Sequence, residues 1–168
     1  RKESSAASDV YKRQELERIA DISGAPYVAG RDVCAVSYQG RIACFDTVSG
    51  TPRWGKAFSS DVGVDVDGSA VYAANERGTV QAFARDTGTS IWQNDQLKNR
   101  RLSTPVSSSR TVAVGDYQGY IHFFSKDNGL LLARVNTDGS PIVGVPVRTD
   151  ANLIFQTQSG TVVAIAAE

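Results

Sequence analysis

The stretch TVAVGDYQGYIHFFSKDNGLLLARV, residues 111–135, decides the fold. Val, Ile, Phe and Tyr, which favour a pleated surface, run in short segments cut by glycine-bearing turns. Thr111–Asp116 reads as a strand, Gln118-Gly119 as a hairpin turn and Tyr120–Ser125 as the next strand. Asp127-Asn128-Gly129 then turns the chain into a third strand, Leu130–Val135, and Pro105–Ser107 supplies a short strand upstream. No segment holds a sustained apolar period of 3.6 residues, so helices are not expected.

Working outward, the same pattern returns. Gly119 in DYQGYIHFF has counterparts in Gly40 (SYQGRIACF), Gly78 (NERGTVQAF) and Gly160 (TQSGTVVAI), at spacings of 38, 41 and 41 residues. Ten residues later comes a second glycine in three copies, Gly50, Gly88 and Gly129. Phe45, Phe83, Phe124 and Ile165 share one position, and Pro26, Val64, Pro105 and Pro146 another. Trp54 and Trp92 follow the second glycine by four residues, where the third copy has Ala133. A four-stranded unit repeating every 40 or so residues is a propeller blade, which buries its two faces only by stacking on neighbours. The fold expected is all-β, a β-propeller with antiparallel four-stranded blades over 22–60, 61–101, 102–140 and 141–168. The last blade ends before its outer strand. Residues 15–21, with ELERIA at their start, take the place of a preceding blade's outer strand. Residues 1–14, RKESSAASDVYKRQ, match no repeat and read as a non-native or disordered tail. The turn glycines are expected at positive φ, and the two tryptophans against the next blade.

Composition narrows the function. The 168 residues carry 18 Lys+Arg against 18 Asp+Glu, with one His, two Cys and no Met. Zero net charge argues against nucleic-acid binding. The chain has no apolar run long enough for a membrane-spanning helix. The missing Met predicts that the natural start lies upstream, and the blade phase predicts that Glu168 is a true end awaiting a strand from the other terminus. Four blades of a larger ring would leave two faces bare, so this length expressed alone is expected to aggregate.

The pattern in YQGRIACFDTVSGTPRW and RGTVQAFARDTGTSIW resembles the pyrroloquinoline-quinone-like repeat, which many propellers use without the cofactor. The stretches RIADISGAPYVAG, SIWQNDQLKNRRLSTPV, VGDYQGYIHFFSKDNG and IFQTQSGTVVAI, in this order, resemble the C-terminal half of the BamB family of lipoproteins. The resemblance implies an eight-bladed ring, of which this chain carries about four blades. It implies a non-catalytic scaffold, without cofactor, at the periplasmic face of the outer membrane, held by an N-terminal lipid in the part not present. The implied partners are the periplasmic domains of BamA and unfolded outer-membrane protein clients. The family's acidic partner-binding segment falls on Asp21-Ile22-Ser23. Asp21 keeps the first acidic position, Ser23 departs from the second, and Arg18 precedes them. A carboxylate on a loop between blades can pair with a partner's Arg or Lys; the plainer reading is a solvated loop or turn aspartate. The other function classes are a fragment of a quinone-dependent dehydrogenase and a sensor-type propeller. No vicinal cysteine pair of the dehydrogenase kind is present.

The remaining chemistry-bearing residues read as structural. His122 has no companion ligands for zinc. Asp65 and Asp67 in VDVDG lack the continuation of a calcium loop, and Asp67-Gly68 reads as a hairpin turn. Asn99-Arg100-Arg101 after Lys98 is a small basic spot on an inter-blade loop, read as solvated, with a partner contact as the alternative. Cys34 and Cys44 flank the turn at Gln39-Gly40; a two-residue turn there puts them on opposite faces, which argues against a disulfide. No GxSxG, P-loop or HExxH motif occurs.

Overall fold

The computed structural model describes residues 24–166, and every regular element in that range is a strand. The first sheet holds β1 (Tyr27–Ala29), β2 (Asp32–Val36), β3 (Arg41–Asp46) and β4 (Pro52–Ala57). The second holds β5 (Val64–Val66), β6 (Ala70–Ala74), β7 (Val80–Ala84) and β8 (Ser90–Asn94). The third holds β9 (Val106–Ser107), β10 (Thr111–Gly115), β11 (Tyr120–Ser125) and β12 (Leu131–Asn136). The fourth has three strands, β13 (Val147–Arg148), β14 (Asn152–Gln156) and β15 (Val162–Ala166). Each sheet is an antiparallel meander in sequence order. The short first strands β1, β5, β9 and β13 lie side by side at the centre, as blades of a propeller require.

Strand alternation explains the stacking. In blade 2, Val71, Ala73 and Phe83 pack with Cys34, Val36, Ile42, Cys44 and Trp54 of blade 1. Their neighbours in sequence, Ala70, Tyr72, Ala74, Val80 and Ala82, pack with Val112, Val114 and Phe124 of blade 3. In blade 3, Ala113, Ile121 and Phe123 turn the other way, onto Ile142, Leu153 and Phe155. The period-2 geometry of a strand thus serves two cores at once. This is why β6 is buried along its whole length and reads as continuous apolar sequence.

The tryptophans fasten the outer edges. Trp54 stacks on Phe83, donates its indole N–H to the Arg85 carbonyl at 2.7 Å and lies over Gly88. Trp92 repeats this one blade on, with Phe124, the Lys126 carbonyl at 2.6 Å and Gly129. The side chains of Arg85 and Lys126 reach back to the preceding blade, where they pair with Asp32 and Asp67. At the centre, the Arg148 guanidinium donates to the Ser107 carbonyl and hydroxyl and to the Tyr27 hydroxyl, and stands 3.5 Å from Asp65. From the first strand of blade 4, one side chain therefore reaches the first strands of the other three blades.

Two expectations are corrected. Cys34 and Cys44 form a disulfide, directly opposed in the β2–β3 register with Cα atoms 4.1 Å apart. The hairpin tip has three residues, Tyr38-Gln39-Gly40, closed by Ser37 and Arg41, so residues an even number apart face each other. The short Cα separation is that of a non-hydrogen-bonded pair, where side chains on neighbouring strands come closest. Second, Gly78, Gly119 and Gly160 sit at φ of 89°, 79° and 95°, but at the first hairpin Gln39 takes the left-handed conformation, at φ 52°. Gly40 is in the same repeat position without needing a glycine's freedom.

Candidate functional site

In a four-strand meander, the hairpins between second and third strands (β2–β3, β6–β7, β10–β11 and β14–β15) and the blade-to-blade loops emerge on one side of the sheets. Hydrogen bonds join them into a continuous surface. The Gln39 amide donates to Ser59 Oγ at 2.9 Å. The Asn99 amide donates to the Arg77 carbonyl and the Tyr117 amide to the Arg100 carbonyl, both at 3.1 Å. The Gln158 amide donates to the Pro141 carbonyl at 2.8 Å. This loop face is the candidate site.

Each of its four hairpins is locked the same way. The residue three before the repeat glycine, Ser37, Asn75, Asp116 or Thr157, accepts with its side chain from the backbone N–H four residues on, at 2.9–3.1 Å. The same residue's amide donates to that partner's carbonyl. The sequence carries this signal at the same spacing as the glycines, and a search for polar acceptors rather than for one residue type finds it.

Asp116 does more than its counterparts. Its carboxylate accepts from Arg100 Nη1 at 2.7 Å and from the Gln118 amide, and pairs with His122 Nε2 at 2.8 Å. Burial alone would raise its pKa; the hydrogen bonds from His122, the Tyr120 amide, Arg100 and the Gln118 amide outweigh it and hold the carboxyl at about 2. His122 is therefore a buried structural partner of Asp116. Arg100, expected in solvent, is drawn inward, and it ties the loop between blades 2 and 3 to the blade 3 hairpin.

The neighbouring hairpins of blades 1 and 2 border an open groove of about 700 Å³, lined by Tyr38, Gln39, Phe58, Ser59, Glu76 and Arg77 among others. Ser59 bridges its two walls, accepting from Gln39 and donating towards Glu76. Gly24, the first described residue, rests against Gly63 with no room for a Cβ between them. Arg18, Asp21 and Ser23 lie outside the described residues, as does the strand expected over 15–21. Among the described residues, no group of three or more His, Cys, Asp or Glu is placed to hold a metal ion. Asp65 is buried in the central cluster, accepting from the Ser107 amide at 2.6 Å, and Asp67 closes the β5–β6 turn by accepting from the Ser69 and Ala70 amides.

What such a surface offers is shape, loop polarity and fixed backbone. The family model described as outer membrane protein assembly factor BamB matches residues 3–94 and 76–168. The chain is 46% identical over 154 residues to the outer membrane protein assembly factor BamB of Bordetella pertussis, covering 91% of this chain and 40% of the relative. It is 44% identical over 148 residues to that of Burkholderia pseudomallei, covering 88% of this chain and 39% of the relative. The crystal structure of BamB from Moraxella catarrhalis superposes with a TM-score of 0.81 at 32% identity, covering 89% of this chain and 44% of that one. The chain thus spans about 40% of the length of the relatives it matches. By sequence and by fold, it belongs to the BamB family of outer membrane protein assembly factors.

Proposed function

We propose that this chain is a four-blade part of a non-catalytic scaffold that assists the folding and insertion of β-barrel proteins into the outer membrane. It does so by docking its loop face on the periplasmic domains of BamA. The observation that carries the reading is the hydrogen-bonded loop face itself: four hairpins locked alike, joined to the inter-blade loops, with a groove between the first two. A rigid, pre-ordered surface loses little entropy on binding and suits docking another domain. The buried Cys34–Cys44 disulfide supports a site of action in an oxidising compartment such as the periplasm. A lipid on the N-terminus of the full-length protein would hold the propeller at the periplasmic face of the outer membrane.

Asp21, with Arg18 and Ser23 beside it, is the proposed BamA contact. Its carboxylate would pair with a cation of BamA, a contact that favours specificity and association rate. In the full-length protein, Asp21→Lys should weaken capture of the BamA periplasmic domains while thermal unfolding stays unchanged. Undiminished capture by a folded variant would refute the assignment of Asp21.

A further inference from the structure

The loop between β8 and β9 is built to hold a fixed shape. Asn99 and Arg101 both adopt left-handed backbone, at φ 65° and 48°, where residues with side chains are rarely found. Such strain persists only where the surroundings impose it. Leu97 and Leu102 are buried and anchor the two ends. The Leu97 backbone sits on Gly78, where any Cβ would collide with it. The Asn99 amide, the Arg100 carbonyl and the Arg100 guanidinium are all engaged by the flanking hairpins.

This framework presents an electropositive tip. Lys98 and Arg101 are exposed, and Arg77 of the adjoining hairpin is exposed beside the Asn99 backbone. None of the three has an ion-pair partner among the described residues. Of the nearby acids, Asp116 is paired with Arg100 and His122, whereas Glu76 and Asp95 are held by the neutral donors Ser59, Thr79 and Gln93 and keep their charge, so the three cations outnumber the two free carboxylates. The Arg101 guanidinium lies 5.6 Å from the centroid of the Tyr117 ring, itself 49% exposed. Stacking holds the guanidinium in place and leaves its N–H groups outward.

We infer that the tip formed by Lys98, Arg101, Arg77 and Tyr117 is a docking site for a carboxylate-rich segment of a protein partner. Arg and Tyr in a pre-ordered setting are the residues on which protein interfaces concentrate their binding energy. Three cations would add only about 1 kcal/mol each at an anionic membrane, too little for attachment, so a protein rather than a lipid surface fits the tip. The contact is opposite in sign to the one proposed for Asp21 and independent of it.

Photo-crosslinking in the intact assembly tests this. Benzoylphenylalanine replaces Tyr117 in the full-length protein, which keeps an aromatic ring under Arg101, and crosslinked peptides are mapped by mass spectrometry. The expected product joins position 117 to a protein segment rich in Asp and Glu. Its yield should drop about fivefold in Arg101→Gly, the loss of one charge pair, and further in the K98E/R101E double variant. Arg101→Gly relieves the left-handed strain, so its stability should match or exceed the parent's, and a drop in yield then reports the side chain. Arg101→Lys should keep most of the yield. Crosslinks to lipid alone, to a segment without carboxylates, or none at all would overturn the inference. So would a yield indifferent to Arg101→Gly.

Discussion

Trp92 lies flat on Gly129 of the next blade, so that any side chain at position 129 would collide with the indole ring, and its N–H reaches the Lys126 carbonyl three residues before that glycine. Trp54 stands in the same relation to Gly88 and the Arg85 carbonyl. At Gly88 and Gly129 the second repeat glycine therefore serves two ends: φ near 70° for the turn, and a flat floor for the preceding blade's tryptophan.

Trp92→Ala should destabilise the protein by about 3 kcal/mol, the range for removing a buried aromatic side chain. Gly129→Ala should cost about as much, through positive φ and collision with the ring. The two share one contact, so the double variant should fall short of the sum by about 1 kcal/mol or more. Urea unfolding of the four proteins measures this, and strict additivity would show that ring and glycine do not meet.

The disulfide makes a chemical prediction. The folded protein should show no free thiol, with or without mild reductant, because both sulfurs are buried between blades 1 and 2. Two thiols should appear when reductant and denaturant are combined. Replacing both cysteines by serine should cost about 2–3 kcal/mol from the ten-residue separation, by loop-closure entropy. Thiol titration checks the first point and unfolding of the double variant the second.

Asp116 and Asp67 set the acid limit. Desolvation opposes the shift in both; hydrogen bonds, led by His122 for Asp116 and by Lys126 for Asp67, bring each carboxyl to about 2. A carboxylate with a folded pKa below its unfolded value stabilises the fold fully above the unfolded pKa, and loses that contribution as pH falls through the folded one. These two groups should leave stability unchanged between pH 7 and 5 and remove it between about 4 and 2, each on the order of 1–2 kcal/mol. Asp116→Asn keeps the hairpin acceptor but should flatten part of that acid slope. An unaltered slope would mean that Asp116 carries no such linkage.

Arg148 holds the centre. Without it, Asp65 is left buried with the Ser107 amide as its remaining partner and Tyr27 loses its donor. Arg148→Ala should cost about 2–3 kcal/mol, and Arg148→Lys should rescue little, because the contacts diverge from a planar fork that an ammonium does not have. Thermal unfolding of both variants distinguishes the outcomes.

The repeat was legible because turns demand glycine and blades demand period-two apolar strands; four copies of one pattern leave few other folds. The register was less so. Whether a tip holds two residues or three is invisible in YQGR, yet that one residue decides whether Cys34 meets Cys44 or passes it. The tie between Asp116, His122 and Arg100 joins groups up to 22 residues apart across a loop whose path no local propensity dictates. The residues singled out for partner contact, Arg18, Asp21 and Ser23, rest on family likeness, since nothing in the sequence around Asp21 separates a contact residue from a turn residue.

The alternation of the strands gives residue number a meaning beyond order. In blade 3, even positions 112, 114 and 124 answer to blade 2, and odd positions 113, 121 and 123 to blade 4. In β6 and β7 of blade 2 the parities are exchanged: even positions 70, 72, 74, 80 and 82 answer to blade 3, and odd positions 71, 73 and 83 to blade 1. The chain thus carries two interleaved texts, each read by a different neighbour. Adjacent letters can drift separately, because a change in one is felt only at the seam that reads it.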